Sequence, residues 1–239
     1  MEHYTHLASH YDEYYRYSQE YIDYFSNRII DDLPVKNNDA VVEVGAGTGI
    51  FAEAILDKVP SITMICVDNS IQMLKNNKNE NIETICQDAV EFSKRHIQYN
   101  KVYMKEFIHH LSKEERLKLF KGLHQQLKEK GSLLILMEPR RLNYPLFDAA
   151  LRLFESKQPA RLDIIFELER AGFSTSFSII SHQINIRKAK YIEMVRNRYM
   201  SVLESFTDAE LEIGIETITK DQNDDIEFLE TFYSIKGVK

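Results

Sequence analysis

Residues able to do chemistry in this chain cluster just after its apolar runs. The densest group is Glu43-Val44-Gly45-Ala46-Gly47-Thr48-Gly49, where three of the eight glycines fall within five residues. Glycines let the backbone turn tightly where side chains would clash. They also bring a ligand onto bare backbone and onto the amide donors that open a helix. Asp68 follows 25 residues after Glu43, at the end of a second apolar run. A carboxylate there can accept hydrogen bonds from both hydroxyls of a ribose, in a nicotinamide or a sulfonium nucleoside alike. His109 and His110, with Glu106 as a third choice, follow a fourth run and are the candidate general bases.

The elements that must position these residues alternate. Apolar runs at 40–44, 62–67, 82–86, 101–104 and 132–137 read as strands, and the stretches 49–58, 70–77, 89–96 and 112–128 read as helices. Buried strands separated by helices imply a parallel sheet covered on both faces. Ligands in such sheets lie beyond the carboxyl ends of the strands. The places to inspect are therefore residues 45–49, 68–69, 88–89, 105–110 and 138–141. Each aspartate also has a plain structural reading as a helix N-cap. Ser112-x-x-Glu115 and Thr207-x-x-Glu210 read as capping boxes.

The glycine stretch resembles the E/D-x-G-x-G-x-G signature of class I S-adenosylmethionine (SAM) dependent methyltransferases, with Glu43, Gly45, Gly47 and Gly49 at the defined positions. The dinucleotide fingerprint G-x-G-x-x-G/A fits poorly, because Ile50 occupies its last position. Gln87-Asp88-Ala89 resembles the family's acidic-then-small motif at the adenine pocket. His109-His110-Leu111 and His10-Tyr11-Asp12 look like its "HHL" and "YD" elements, and Ala171-Gly172-Phe173 like the turn before strand six. The resemblance covers about residues 40–140 well. It implies SAM as cofactor, held by Tyr11, Glu43, Gly45, Ala46, Gly47, Gly49, Asp68, Asn69, Met73, Asp88, Ala89 and Lys105. It also implies an α/β, Rossmann-like, doubly wound sheet of seven strands, the last antiparallel, with a helical lid and insertions. Two departures stand out. Asn100 replaces the acidic residue that often opens strand four, and Lys105-Glu106-Phe107-Ile108 lacks the N/D-P-P-Y/F run of methyltransferases acting on base amino groups.

One domain is expected over 1–239: a lid at 1–33, a SAM-binding core at 34–138, acceptor-side insertions with strand six at 139–221, and a last strand within 222–239. Seven of the thirteen tyrosines lie in the lid segment. Tyr11 and its neighbours would close over the site, so deleting residues 1–25 should abolish turnover and leave the core folded. Leu146 to Phe154 reads as a helix, strand six as 173–181 extending toward Ile186, and strand seven as 226–236. Arg196 and Arg198 fall in an otherwise apolar helical arc. They either bind an acidic group of the substrate, with Tyr15 and Tyr199 beside them, or pair internally with Glu193, Glu204 or another acid.

Composition narrows the function class. The net charge of −7 disfavours a nucleic-acid surface. No apolar run is long enough to span a membrane and no signal-peptide core is present. Cys66 and Cys86 both lie in strands and read as small buried thiols of a reduced, cytoplasmic protein. His3, His6 and His10 share helical spacing, but no cysteine or acidic cluster completes a ligand set, so no metal is expected. The leading expectation is methyl transfer to a small-molecule acceptor. The alternatives are a SAM-binding module without catalysis, an RNA methyltransferase and a nicotinamide-dependent oxidoreductase. Oligomeric state is left open.

Overall fold

A computed structural model describes residues 17–220 and 223–239. Seven strands form one sheet in the order β3-β2-β1-β4-β5-β7-β6. They are β1 (Ala40–Val44), β2 (Thr63–Asp68), β3 (Ile82–Cys86), β4 (Tyr99–Lys105), β5 (Leu127–Met137), β6 (Ser174–Arg187) and β7 (Asp225–Val238). The first five pair in parallel, and β7 runs antiparallel between β5 and β6. Val41, Val42 and Val44 of β1 are fully buried, as a central parallel strand requires. The doubly wound sheet with its antiparallel last strand is the architecture expected from the resemblance.

Helices cover both faces: α1 (Gln19–Asp32), α2 (Ile50–Lys58), α3 (Ile71–Leu74), α4 (Ala89–Phe92), α5 (Lys113–Gln126), α6 (Asp148–Lys157), α7 (Arg161–Arg170), α8 (Lys188–Arg196) and α9 (Asp208–Thr219). Two are shorter than expected. After α3, the Asn77 side chain accepts from the Asn79 amide, and the Asn79 side chain accepts from the Asn81 amide. Such local bonds offer the backbone an alternative to helix. α4 gives way at Ser93, whose hydroxyl donates to the Val90 carbonyl. Both expected capping boxes are present, at Ser112 and Thr207.

The β6–β7 pair outruns the rest of the sheet. Met137, the last residue of β5, pairs with Tyr233, and Tyr233 pairs with Ile179. Residues 180–187 and 225–232 therefore continue as a two-stranded ribbon past the carboxyl end of β5. At ~3.3 Å per residue, eight residues make it roughly 25 Å long. Along β7, Ile226, Phe228, Glu230 and Phe232 alternate inward and are buried.

Two expectations are corrected by packing. The part of the lid segment that the structure describes is core. Tyr21, Ile22, Phe25 and Ile29 of α1 are at most 2% exposed, and Phe25 meets Phe232 edge-on at 5.1 Å. Burying each such side chain stabilises the fold by ~1.5–3 kcal/mol, so deletion through residue 25 would damage the fold. Tyr11 and Tyr15 of the proposed lid, and His3, His6 and His10, lie outside the described residues. Of the two thiols only Cys66 is buried; Cys86, at the end of the edge strand β3, is exposed.

One buried ion pair ties the back of the sheet to the loop after β4. Arg116 on α5 grips Glu167 on α7 through two bonds, Nε–Oε2 at 2.7 Å and Nη2–Oε1 at 2.8 Å. Its Nη1 donates to the Leu111 carbonyl at 2.9 Å. Removing one partner of such a pair strands a buried charge. Glu167→Ala is expected to lower stability by ~3–5 kcal/mol. Urea unfolding should show a lower midpoint at unchanged slope, and an unchanged midpoint would refute this role.

Candidate functional site

A cavity of about 360 Å³ opens where the parallel strands end, within the roughly 300–1,000 Å³ usual for small-molecule sites. Its wall comes from four strand ends: Gly45 to Thr48 after β1, Asp68 and Asn69 after β2, Asp88 and Ala89 after β3, and Lys105 to Phe107 after β4. Gly45, Gly47 and Gly49 all have positive φ, at 70°, 57° and 75°. A Cβ on Gly45 would lie 2.3 Å from the Phe107 ring, so the loop can lie against that ring only as glycine. Asp68 Oδ2 accepts from the Gly47 amide at 2.8 Å, and Oδ1 accepts from the Ser70 amide at 2.8 Å. Burial raises the Asp68 carboxyl above its ordinary range, against the lowering effect of those amides. Asp88 caps α4, Oδ1 accepting from the Val90 and Glu91 amides at 2.8 and 3.1 Å. The ligand-wall and N-cap readings of Asp88 thus coexist in one side chain. An open depression of about 800 Å³ lies elsewhere, between Pro145, Arg187, Thr217 and Asp225. Neither the glycine turn nor any parallel strand end reaches it.

The loop after β4 closes one end of the cavity. Glu106 is held at φ 54°, a conformation that a non-glycine residue adopts only under constraint. Its carboxylate pairs with Lys105. The Lys105 ammonium is buried within 4.5–5.5 Å of the ring centres of Phe232, Phe51, Tyr21 and Phe25, and it donates to the Tyr21 hydroxyl at 3.1 Å. A cation among aromatic faces is electrostatically favoured. Behind it lie Glu138, at the end of β5, and Glu230, on the ribbon, both at most 3% exposed. Glu138 is raised well above the carboxylate range by burial, then by Glu106 and Glu230. Glu230 is pushed up to about 7, mainly by burial, with Lys105 opposing.

The comparisons with known proteins converge. Residues 41–131 match the family described as "Methyltransferase domain". These residues form a domain of the SAM-dependent methyltransferases. A malonyl-[acyl-carrier protein] O-methyltransferase 2 from Ilyobacter polytropus is 36% identical over 90 residues, which is 36% of this chain and 34% of that protein. The match thus spans about a third of that relative's length. Among solved structures, a protein of an antibiotic biosynthesis pathway from Anabaena variabilis superposes with a TM-score of 0.70 at 16% identity, covering 90% of this chain and 96% of its own. A SAM-dependent methyltransferase from Archaeoglobus fulgidus gives 0.62 at 18% identity, covering 95% and 97%. At these identities the two structures establish the fold.

The structure brings together most of the residues singled out for the methyltransferase site. Glu43, Gly45, Ala46, Gly47, Asp68, Asn69, Met73, Asp88, Ala89, Lys105, Glu106 and His110 all line the cavity. Gly49 stands behind it, where its φ of 75° opens α2. His109 packs against His110 with the rings tilted at 48° and their centres 4.1 Å apart. Burial, then His110, pushes His109 down to about 3, so its imidazole stays neutral and weakly basic at neutral pH. Three acceptor-side expectations are corrected. Arg196 forms a two-bond pair with Glu212 on α9, at 2.6 and 2.9 Å, on the exposed surface. Arg198 pairs with Asp208 at 2.6 Å and donates to the Phe206 carbonyl. Tyr199 is buried against Tyr191, hydroxyl to hydroxyl at 3.1 Å. None of the three lines the cavity. The site also has features that the motifs do not mark. Phe51, Phe107 and Leu111 supply apolar wall, and Glu230 stands near Lys105. A glutamate on the inward, otherwise apolar side of a β7 alternation was the signal available for Glu230.

Glu43 carries a pH signature. Burial raises it to about 8, against the nearby Tyr103 hydroxyl, the Lys105 charge and the Ala52 amide. The folded state therefore holds a proton that the unfolded chain releases above its ordinary carboxylate range. Stability is fully present below that range and is lost as pH rises through about 8. Glu43→Gln should abolish this slope. Its stability relative to wild type should rise by up to ~1.4 kcal/mol per pH unit between roughly pH 5 and 8. Urea titrations at pH 5, 6, 7 and 8 measure the difference; a gap that does not change with pH would contradict the assignment.

Proposed function

We propose that this chain transfers a methyl group from SAM to a small-molecule acceptor, in the cytoplasm. The observation that carries the reading is the single cavity in which the positive-φ glycine turn, Asp68 and Asp88-Ala89 form one wall. Its chemistry fits the donor: bare amides beside the turn, a carboxylate for ribose hydroxyls, and Met73 with Ala89 as apolar surface. Bound SAM supplies a methyl carbon on a cationic sulfur, and its bond to the acceptor forms as the carbon–sulfur bond breaks with the electron pair staying on sulfur.

The chain's own residues then have separable tasks. Each Asp68 oxygen accepts one backbone amide and keeps lone-pair capacity for a hydroxyl. Lys105 and Glu106 close the cavity toward β5 and β7. Positioning the acceptor atom in line with the methyl carbon can supply ~7–11 kcal/mol, whereas a general base adds ~10²–10⁴-fold in rate. Positioning dominates on these magnitudes. His109 is a poor base here, because burial and His110 hold it weakly basic. The earlier expectation of an acidic acceptor loses its support, since Arg196 and Arg198 pair with the chain's own acids.

Asp68→Ala is expected to weaken SAM binding by ~30–1000-fold, through loss of two charge-assisted bonds worth a net ~2–4 kcal/mol. Loosening of the Gly47 anchor adds to that effect. Titration calorimetry on the folded variant decides it, and wild-type affinity would end the assignment. His110→Ala should lower kcat by less than ~10⁴-fold. A double His109→Ala, His110→Ala variant should keep the wild-type pH–rate profile; a lost limb would restore a histidine base.

A further inference from the structure

The sheet ends at β6, and the strand carries nothing that protects this end. Among the described residues only β7 pairs with β6. That pairing runs in unbroken register from Ser174 to Arg187. Residues 174–186 contain no lysine, arginine, aspartate, glutamate or proline. Proteins ordinarily blunt an exposed edge with such residues or with a bulge, because its free N–H and C=O groups are a template for another strand. The edge is also apolar where it is most open. None of residues 174–179 is buried, and Phe177 and Ile179 stand 40% and 58% exposed. Arg161, the first residue of α7, lies over the rings of Phe177 and Tyr233 at 4.2 and 5.1 Å. Tyr233 is directly opposite Ile179, so Phe177 and Ile179 share the sheet face that carries α7. Leu162 and Phe166, one turn apart on α7, are 56% and 60% exposed. At ~200 Å² for a whole side chain, these four leave roughly 400 Å² of apolar surface in water. That is about half of the ~800 Å² that each partner buries in a stable interface, and the open strand edge beside them adds to it.

We propose that β6 pairs with the β6 of a second copy of this chain, antiparallel about a two-fold axis through Ser178. A strand edge laid antiparallel against its own copy is self-complementary, since every backbone bond given across the axis is returned by symmetry. The pleat selects the register. Directly opposed residues lie on the same face of an antiparallel pair. The two apolar faces therefore merge only when the numbers of opposed residues sum to an even value. Centring on Ser178 satisfies this and sets Phe177 of each copy against Ile179 of the other. Aromatic and β-branched side chains opposed in this way stabilise a strand pair. Both α7 helices then lie on one face of a continuous fourteen-stranded sheet, with Leu162 and Phe166 available beside the seam. Each chain brings one β6, so the assembly closes at two copies. No residue of α7 or β6 lines the cavity, so the pairing leaves the site open and stands apart from its chemistry.

Analytical ultracentrifugation of the full chain tests this. At ~50 μM, above the μM-to-pM range of interfaces of standard size, the mass should be twice the 28.1 kDa of one chain. Ile179→Lys installs the charge that edges ordinarily carry and should weaken association by at least ~10-fold, with near-UV circular dichroism unchanged. Ile213→Lys, at a site 64% exposed on α9, should leave the dimer intact. Cross-linking reads the register. Opposed Cα atoms of an antiparallel pair stand ~4.5–5.5 Å apart, within disulfide reach. In a Cys86→Ser background, which removes the exposed native thiol, Ser178→Cys should form a disulfide-linked dimer on oxidation. Ser176→Cys, set opposite Ile180, should not. A single-chain mass at every concentration, as a different protein or another segment of the same chain over β6 would give, overturns the proposal. A dimer that Ile179→Lys leaves at full strength overturns it too, as does cross-linking by Ser176→Cys in place of Ser178→Cys. Should Ile179→Lys fail to fold, the wild-type mass and the cross-linking pair decide the matter.

Discussion

The site depends on a short hydrogen bond between two loops. Asp68, at the end of β2, holds the amide of Gly47, two residues past a glycine that packs against Phe107. Three positive-φ glycines in five residues would otherwise leave a loop with large conformational freedom. The carboxylate draws that loop onto the strand end, and the Val67 carbonyl adds bonds from the Gly45 and Ala46 amides. Asp68 therefore shapes this wall of the cavity before any ligand touches it.

The same economy appears at the loop after β4. Lys105 pairs with Glu106, donates to Tyr21 and lies among four rings contributed by α1, α2 and β7. One ammonium thus joins the loop after β4 to helices on one side and the late ribbon on another. Glu138 and Glu230 keep raised proton affinities chiefly because they are buried, with Lys105 opposing. Burial without full compensation is costly to stability, and sites that retain it are candidates for function.

What could be read without coordinates was local. The glycine turn, Asp68 and Asp88 each sit directly after an apolar run, so the rule that ligands lie beyond parallel strand ends places them together. The sheet and its antiparallel last strand followed from the family resemblance. Distant pairing was not legible. Arg196 looked available because its partner Glu212 lies on another helix, sixteen residues on. The tyrosine-rich segment 1–33 looked like a cover because aromatic residues suit both a lid and a core; the near-zero exposure of Tyr21 and Phe25 shows which holds for α1. Glu230 passed unremarked because its meaning depends on Glu138 and Lys105, about ninety and over a hundred residues earlier.

The long β6–β7 ribbon has a consequence for how the molecule is made. β7 fills the gap between β5 and β6 and carries Glu230, yet it is synthesised after both of its neighbours. Ser234 reaches back to Asp32 across 202 residues of chain. Until β7 arrives, the β5 edge of an already assembled parallel sheet has no partner, and an unpaired edge is a template for intermolecular pairing. Non-local strand insertion is also slow. A nascent chain stalled before residue 225 would thus hold a nearly complete cavity wall beside an open sheet edge. Its need for chaperone protection should peak in that interval of translation.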